Sequence, residues 1–167
     1  VSKVQRLQMT TVEDNNIHNL AIMGNFDDCQ KIVKKLFVDE EIQSKTILTA
    51  INSINWVRII SQTVYYFWSF AQLDEKTKKD GLSFIVPSGN FGNLCSGILA
   101  KKMGLPIHHF IASTNINDIV PKYIDTGIYA PKPSKETISN AMDVGDPSNF
   151  IRIERIFNNN YKELIKN

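Results

Sequence analysis

Leu82-Ser83-Phe84-Ile85-Val86-Pro87-Ser88-Gly89-Asn90-Phe91-Gly92-Asn93-Leu94 is the stretch that decides the fold of this chain. Residues 82–86 are an unbroken apolar run stopped by Pro87, the pattern of a strand buried on both faces of a parallel sheet. A Gly-rich turn follows, and Leu94 to Met103 reads as a helix closed by Gly104 as its C-terminal cap. Pro106 to Ile111 is a second buried strand. Strand, turn, helix and strand in that order form the repeating unit of a parallel α/β sheet.

Upstream, Ser2 is placed to cap a helix from Lys3 to about Val12, with Val4, Leu7 and Met9 on its apolar side. Ile17 to Met23 alternates and predicts a strand ending at the turn pair Gly24-Asn25. Phe26, Cys29, Ile32, Val33, Leu36 and Phe37 then mark a helix. Asp27 and Asp28 suit its N-terminal dipole and Lys34-Lys35 its other end. Ile47 to Ile51 predicts a short buried strand. Ile54 to about Leu73 predicts the longest helix, with a stripe of Trp56, Ile59, Ile60, Thr63, Val64, Phe67, Phe70 and Ala71. Asp74 to Asp80 reads as a polar linker.

Downstream, Asn117-Asp118 is expected to cap a helix to about Tyr123. Ser148 or Asn149 should open a last helix to Phe157, with Asn158-Asn159-Asn160 a frayed end. Between them, Gly127, Pro131, Pro133 and Gly145 punctuate a loop-rich stretch. Helices alternating with strands predict a doubly wound, largely parallel α/β sheet with helices on both faces.

The chain has 167 residues, enough for one α/β domain or a large part of a bigger one. A composition of 43% hydrophobic and 22% charged residues is that of a globular protein. A net charge of +2 is too small and too scattered to make nucleic acid the expected partner. The Lys76 to Lys79 stretch reads as a solvated surface. No apolar run approaches the roughly 20 residues that span a bilayer, so no membrane partner is expected. Cys29 and Cys95 form no CxxC pair, and a reducing cytoplasm is the simplest compartment. The histidines lack metal-ligand spacing; His108 and His109, adjacent on a strand, face opposite ways. Val1 is no initiator Met and Ser2 directly precedes a helix, which reads as an excerpt of a longer protein.

In parallel α/β sheets, ligands bind at the carboxyl ends of strands and phosphates at the N-terminus of the next helix. Residues 86–93 occupy that position. Gly89 and Gly92 would let the backbone approach an anion and take positive φ. The N–H groups from Gly89 to Asn93 could converge as a nest, with Ser88 and Asn90 adding side-chain hydrogen bonds. The same spacing also fits a plain tight turn. It is neither a Walker loop nor the GxGxxG of dinucleotide binders.

Pro87-Ser88-Gly89-Asn90-Phe91-Gly92-Asn93 followed by Ala100-Lys101-Lys102-Met103-Gly104-Leu105-Pro106-Ile107 resembles the phosphate-cup region of threonine synthases. Further blocks resemble the same family in the same order: Val1-Ser2-Lys3-Val4-Gln5, Gly24 to Gln30, Asn52-Ser53-Ile54-Asn55-Trp56-Val57-Arg58-Ile59, Ala112 to Asp118, and Ser139 to Asp143.

The resemblance implies part of a fold-type II pyridoxal 5'-phosphate enzyme, a tryptophan synthase β-like fold, over residues 1–167. Its reaction converts O-phospho-L-homoserine and water to L-threonine and phosphate in threonine biosynthesis, a carbon–oxygen lyase chemistry. Ser88, Gly89, Asn90, Phe91, Gly92 and Asn93 would hold the cofactor phosphate. Asn52, Ser53 and Asn55 would face the cofactor ring or substrate. Arg58 is a candidate for the substrate phosphate, or else a partly buried arginine paired with a carboxylate.

The family's Schiff-base lysine lies in a Phe-Lys-Asp segment upstream of the Val-Ser helix, and residues 1–167 contain no such segment. A lysine-bearing N-terminal part and a C-terminal part are therefore expected outside this chain, and the isolated chain is expected to be inactive. No catalytic residue is assigned within it. Two alternatives carry the same signatures: a threonine-synthase-like phospholyase acting on related phospho-amino acids, and a non-catalytic phosphate-ligand-binding module.

Overall fold

The computed structural model describes residues 3–24, 26–52 and 55–166, and they divide into two compact units, 1–48 and 49–167. The first unit carries helices α1 (Lys3–Thr10), α2 (Phe26–Leu36) and α3 (Glu40–Lys45). Asp39 caps α3 by accepting the Ile42 N–H at 3.0 Å, and Glu41 and Lys45 pair along it. Residues 17–23 do not form the expected strand. They run irregularly, with Leu20 and Met23 fully or nearly fully exposed. Alternation places side chains on two faces, but a strand exists only when a neighbouring edge pairs its backbone groups. Ser2 and Asn25, expected at a cap and a turn, lie outside the described residues.

The second unit contains, in order, α4 (Trp56–Ser61), α5 (Thr63–Ala71), α6 (Glu75–Asp80), β1 (Leu82–Pro87), α7 (Gly92–Lys102), β2 (Ile107–Ser113), α8 (Ile119–Thr126), a 3-10 turn (Asn140–Met142), α9 (Phe150–Ile156) and α10 (Tyr161–Leu164). Residues 47–51, expected as a buried strand, are irregular, and Ile47 and Ile51 are 96% and 86% exposed. Asp74 to Asp80 is not a linker: Asp74 accepts the Thr77 N–H and hydroxyl and so caps α6.

The single helix expected over residues 54–73 is broken at Gln62. There the Gln62 N–H turns to Ile59 O, a 3-10 bond, while the Ser61 hydroxyl and Gln62 side chain both take Arg58 O. Side chains competing for backbone carbonyls in this way bend helices. The break rotates the buried stripe onto Ile59, Thr63 and Tyr66, leaving Ile60, Val64 and Phe67 exposed. Tyr66 thus takes the place expected for Phe67.

β1 and β2 pair in parallel, with Phe84 opposite Phe110 and Val86 opposite Ala112. The strands are buried on one face only: Phe84 and Val86 turn inward, while Ile85 and Ile111 are 69% and 53% exposed. The covered face packs on α5 and α7. Tyr66 meets Phe84 edge-on at 4.9 Å and Phe110 at 6.1 Å. A Cβ at Gly97 would fall 2.6 Å from ring atoms of both Tyr66 and Phe110, so this glycine admits the close approach of α7. Ile59, Val86, Leu94, Cys95, Ile153 and Phe157 fill the core between these elements.

Two helix ends show why the chain turns where it does. At α7, Gly104 sits at φ 105, its N–H bonds Lys101 O, and the Leu105 N–H bonds Ala100 O, both at 3.0 Å. That is a Schellman motif, as the glycine promised. At α9, Asn158 and Asn159 adopt φ of 53° and 56° and build the same motif on Arg155 and Glu154. Residues 158–160 are therefore an ordered stop, not a frayed end. Asparagine tolerates the left-handed region. Asn160 then caps α10, whose Tyr161 packs on Tyr123 at 5.5 Å. The loop after α8 is tied down by Asp143, which accepts from the side chains of Asn115, Asn117 and Thr137 and from the Thr137 N–H.

Candidate functional site

β1 delivers the chain to the loop at its carboxyl end, and α7 carries it away. The Ser88 N–H adds one more rung to the sheet, on Ser113 O at 2.8 Å. The Ser88 hydroxyl, 3% exposed, donates to Val86 O at 2.8 Å, so its single proton is committed to the loop itself. Asn90 Oδ1 accepts both the N–H and the hydroxyl of Ser148, at 2.6 and 3.0 Å. Asn93 Oδ1 accepts the Tyr66 hydroxyl at 2.7 Å, and its Nδ2 donates to Gln62 at 3.1 Å. These polar side chains brace the loop against α5 and the start of α9.

The glycines act differently from expectation. Neither Gly89 nor Gly92 has positive φ; the left-handed residue is Phe91, at φ 59 and ψ 13. This conformation costs a non-glycine residue about 1–2 kcal/mol. Burial of the ring, which meets Phe150 edge-on at 5.8 Å, offsets that cost. Gly89 and Gly92 are needed for space. A Cβ on Gly89 would fall 2.6 Å from Met142 Cα, and one on Gly92 would fall 3.2 Å from Ile59 and 3.3 Å from Asn149 Nδ2.

The chemistry this leaves is that of a donor cluster. α3, α4, α6 and α10 each have an Asp or Asn side chain accepting a first-turn N–H. α7 begins on Phe91, which offers no side-chain acceptor, and no acidic residue lies in its first turn. The first amides of a helix point out of its end without intrahelical partners, and the helix dipole adds roughly half a positive charge there. A left-handed residue running into the helix curves successive N–H groups into an anion nest. Nearby, Asn149 is wholly buried and its Oδ1 accepts from Arg152 Nη1 at 2.6 Å. Its Nδ2 is, among the described residues, the buried side-chain polar atom without a partner. Leaving such a donor unmade costs about 1–3 kcal/mol. The first amides of α7 and Asn149 Nδ2 are thus hydrogen-bond donors at one end of the helix, of the kind that an anionic oxygen accepts from.

The other residues expected at the site are near it in the fold but otherwise engaged. α4 packs on α7, where the Ser96 hydroxyl donates to Ile59 O at 2.6 Å. Asn55 caps α4 through Val57 N–H and donates to Ala50 O at 2.7 Å. Arg58, exposed, donates to Ile51 O at 3.0 Å, and this bond to a carbonyl replaces the expected alternative of a carboxylate pair. Asn52 lies in the turn before α4, its carbonyl accepting the Asn55 N–H. Ser53 lies outside the described residues. Beneath the loop, burial pushes the Cys95 thiol up to about 11 despite the opposing Arg152 charge, so it stays protonated. Burial and the neighbouring Cys95 also raise Tyr66 above an ordinary tyrosine.

Tyr66, Gln62, Met142, Ser148 and Asn149 enter the site without having been anticipated as part of it. Each lies 27 or more residues from its loop partner or is joined to it only by tertiary packing. No local pattern marks them, apart from the helix-start signal at 148–149. Among the described residues no helix is long and apolar enough to cross a membrane.

No family model matches the chain. It is similar to the threonine synthase of Buchnera aphidicola subsp. Baizongia pistaciae, 46% identical over 98% of this chain and 38% of that protein. The Escherichia coli (strain K12) threonine synthase is 49% identical over 85% of this chain and 33% of its own length. Among solved structures, threonine synthase from Escherichia coli superposes with a TM-score of 0.80 at 46% identity, over 87% of this chain and 34% of that one. Threonine synthase from Brucella melitensis with bound PLP gives 0.77 at 42%, over 98% and 35%. The α/β fold with its parallel sheet is thus shared with these enzymes. The chain spans about a third of the length of the relatives it matches.

Proposed function

We propose that this chain is the cofactor-phosphate-binding part of a threonine synthase, which converts O-phospho-L-homoserine and water to L-threonine and phosphate with pyridoxal 5'-phosphate. One observation carries the reading: the uncapped N-terminus of α7, fronted by left-handed Phe91, in a chain similar to threonine synthases along almost all its length.

When bound, the cofactor supplies an electron sink for loss of protons from Cα and Cβ of the substrate and for expulsion of the substrate's γ-phosphate. The chain's own residues do the holding. Backbone N–H groups of Gly89 to Asn93 bind the cofactor phosphate, while the Ser88, Asn90 and Asn93 side chains keep the loop in shape. Asn52, Ser53, Asn55 and Arg58 shape the substrate side; Asn55 and Arg58 do so by holding residues 50–51 against the start of α4. Lys34, Lys35, Lys101 and Lys102 all sit in the last turns of helices, where they suit the helix dipole. The resemblance puts the amine that holds the cofactor and moves protons in a Phe-Lys-Asp segment, which residues 1–167 do not contain. A cytoplasmic location accompanies this reading, since the cysteines Cys29 and Cys95 are free thiols.

The test is to supply the full-length protein with the cofactor and O-phospho-L-homoserine, and to measure threonine and inorganic phosphate. Equal amounts of both are expected. Phosphate without threonine would identify a phospholyase, and cofactor binding without either product would identify a binding module.

A further inference from the structure

The phosphate nest described above consists of backbone donors, yet one buried side chain beside it has an amide with nothing to donate to. We propose that Asn149 is a further phosphate ligand of the site, donating through Nδ2 to the anion at the start of α7, with Arg152 as the residue that orients it. The proposal rests on the cup reading of residues 88–93.

Three features of the structure carry it. Asn149 is 0% exposed, so bulk water cannot serve its amide. Its two ends are not interchangeable: Arg152 Nη1 holds Oδ1 at 2.6 Å and thereby fixes the NH2 group on the other side. That NH2 group lies 3.3 Å from where a Cβ of Gly92 would be, against the first turn of α7. Arg152 is itself held, its guanidinium stacked 4.6 Å over the Trp56 ring on α4. Asn90 draws the same segment in by taking the Ser148 N–H and hydroxyl. With Oδ1 taken by Arg152, the NH2 group is the half of the amide left over, and it is satisfied only when an acceptor arrives.

The experiment compares affinities of the full-length protein for pyridoxal 5'-phosphate and for pyridoxal, which lacks the phosphate. Asn149→Asp keeps the size but turns a donor into an anionic acceptor. It should weaken pyridoxal 5'-phosphate binding at least about tenfold and leave pyridoxal binding within about twofold. Arg152→Met, which cannot hold Oδ1, should lower the phosphate preference about threefold or more; an unchanged preference would remove Arg152 from this role. If the wild type shows no preference for the phosphorylated form, the cup reading fails and this proposal with it. If the wild type prefers it and Asn149→Asp keeps that preference, only the role of Asn149 is overturned. Should Asn149→Asp not fold, a wild-type structure with the cofactor decides. Nδ2 within about 3.2 Å of a phosphate oxygen supports the proposal, and a separation beyond about 4 Å overturns it.

Discussion

Replacing Tyr66 by phenylalanine removes one oxygen from the point where the core meets the loop. The Tyr66 hydroxyl reaches Asn93 O at 2.9 Å and Asn93 Oδ1 at 2.7 Å, while its ring packs on Phe84 and Phe110. Phenylalanine keeps the ring contacts and the space beside Gly97, so the loss is polar only. Its cost is that of a buried hydrogen bond whose acceptor stays behind, about 1–2 kcal/mol. With a urea slope of roughly 2 kcal/mol/M, the unfolding midpoint should fall by about 0.5–1 M at unchanged slope.

The alkaline limb gives a second signature. Burial, aided by Cys95, raises the folded-state pKa of Tyr66 above the ordinary value of 10.0. A raised pKa means the unfolded chain loses its proton first. Stability is therefore full below about pH 10 and declines as pH rises toward the folded value. Tyr66→Phe should flatten part of that decline; the remainder is shared by Tyr129, raised by burial and by its bond to Asp146, and by Tyr123 and Cys95, both also raised by burial. A stability change under about 0.3 kcal/mol with the wild-type alkaline limb intact would show that the Tyr66 hydroxyl does not hold the loop.

Gly89→Ala places a Cβ 2.6 Å from the Met142 backbone. It should cost about 1–3 kcal/mol by thermal unfolding and weaken pyridoxal 5'-phosphate binding in a titration, because the loop must move. For Asp143, burial raises the carboxyl pKa, but hydrogen bonds from Thr137 and Asn115 outweigh it and hold it below the ordinary range. Its contribution is present above the ordinary aspartate pKa and lost as pH falls through the lowered one. Asp143→Asn should reduce that acid limb in melting curves and speed proteolysis within residues 127–147. Residues 1–167 alone should form no threonine above background in the phosphohomoserine assay, because they lack the Phe-Lys-Asp segment that carries the Schiff-base lysine in the family they resemble.

How far the sequence alone could be read depended on how local each feature was. The β1–loop–α7 passage was legible because an apolar run, a proline and glycines punctuate it within a dozen residues, and the Gly104 stop was legible for the same reason. The predicted strands at 17–23 and 47–51 failed because pairing depends on a neighbouring edge, which no local pattern contains. The α4–α5 break rotated the buried stripe by one position, hiding Tyr66 behind Phe67. The loop itself was recognised, but its parts were misassigned. Positive φ fell on Phe91, where burial offsets the strain, and the glycines serve close packing against Met142, Ile59 and Asn149. Asn149 could be read only as the start of a helix, because its orphaned amide appears once α9 is folded against α7.

In the proposed function, the N–H groups of residues 89–93 hold a phosphate. Amide hydrogen exchange of the full-length protein tests it, with no ligand, with pyridoxal 5'-phosphate and with pyridoxal. Added protection is expected across residues 89–93 with the phosphorylated ligand and little with pyridoxal. Bound pyridoxal 5'-phosphate that leaves exchange of these amides unchanged, while protecting another segment, would contradict it.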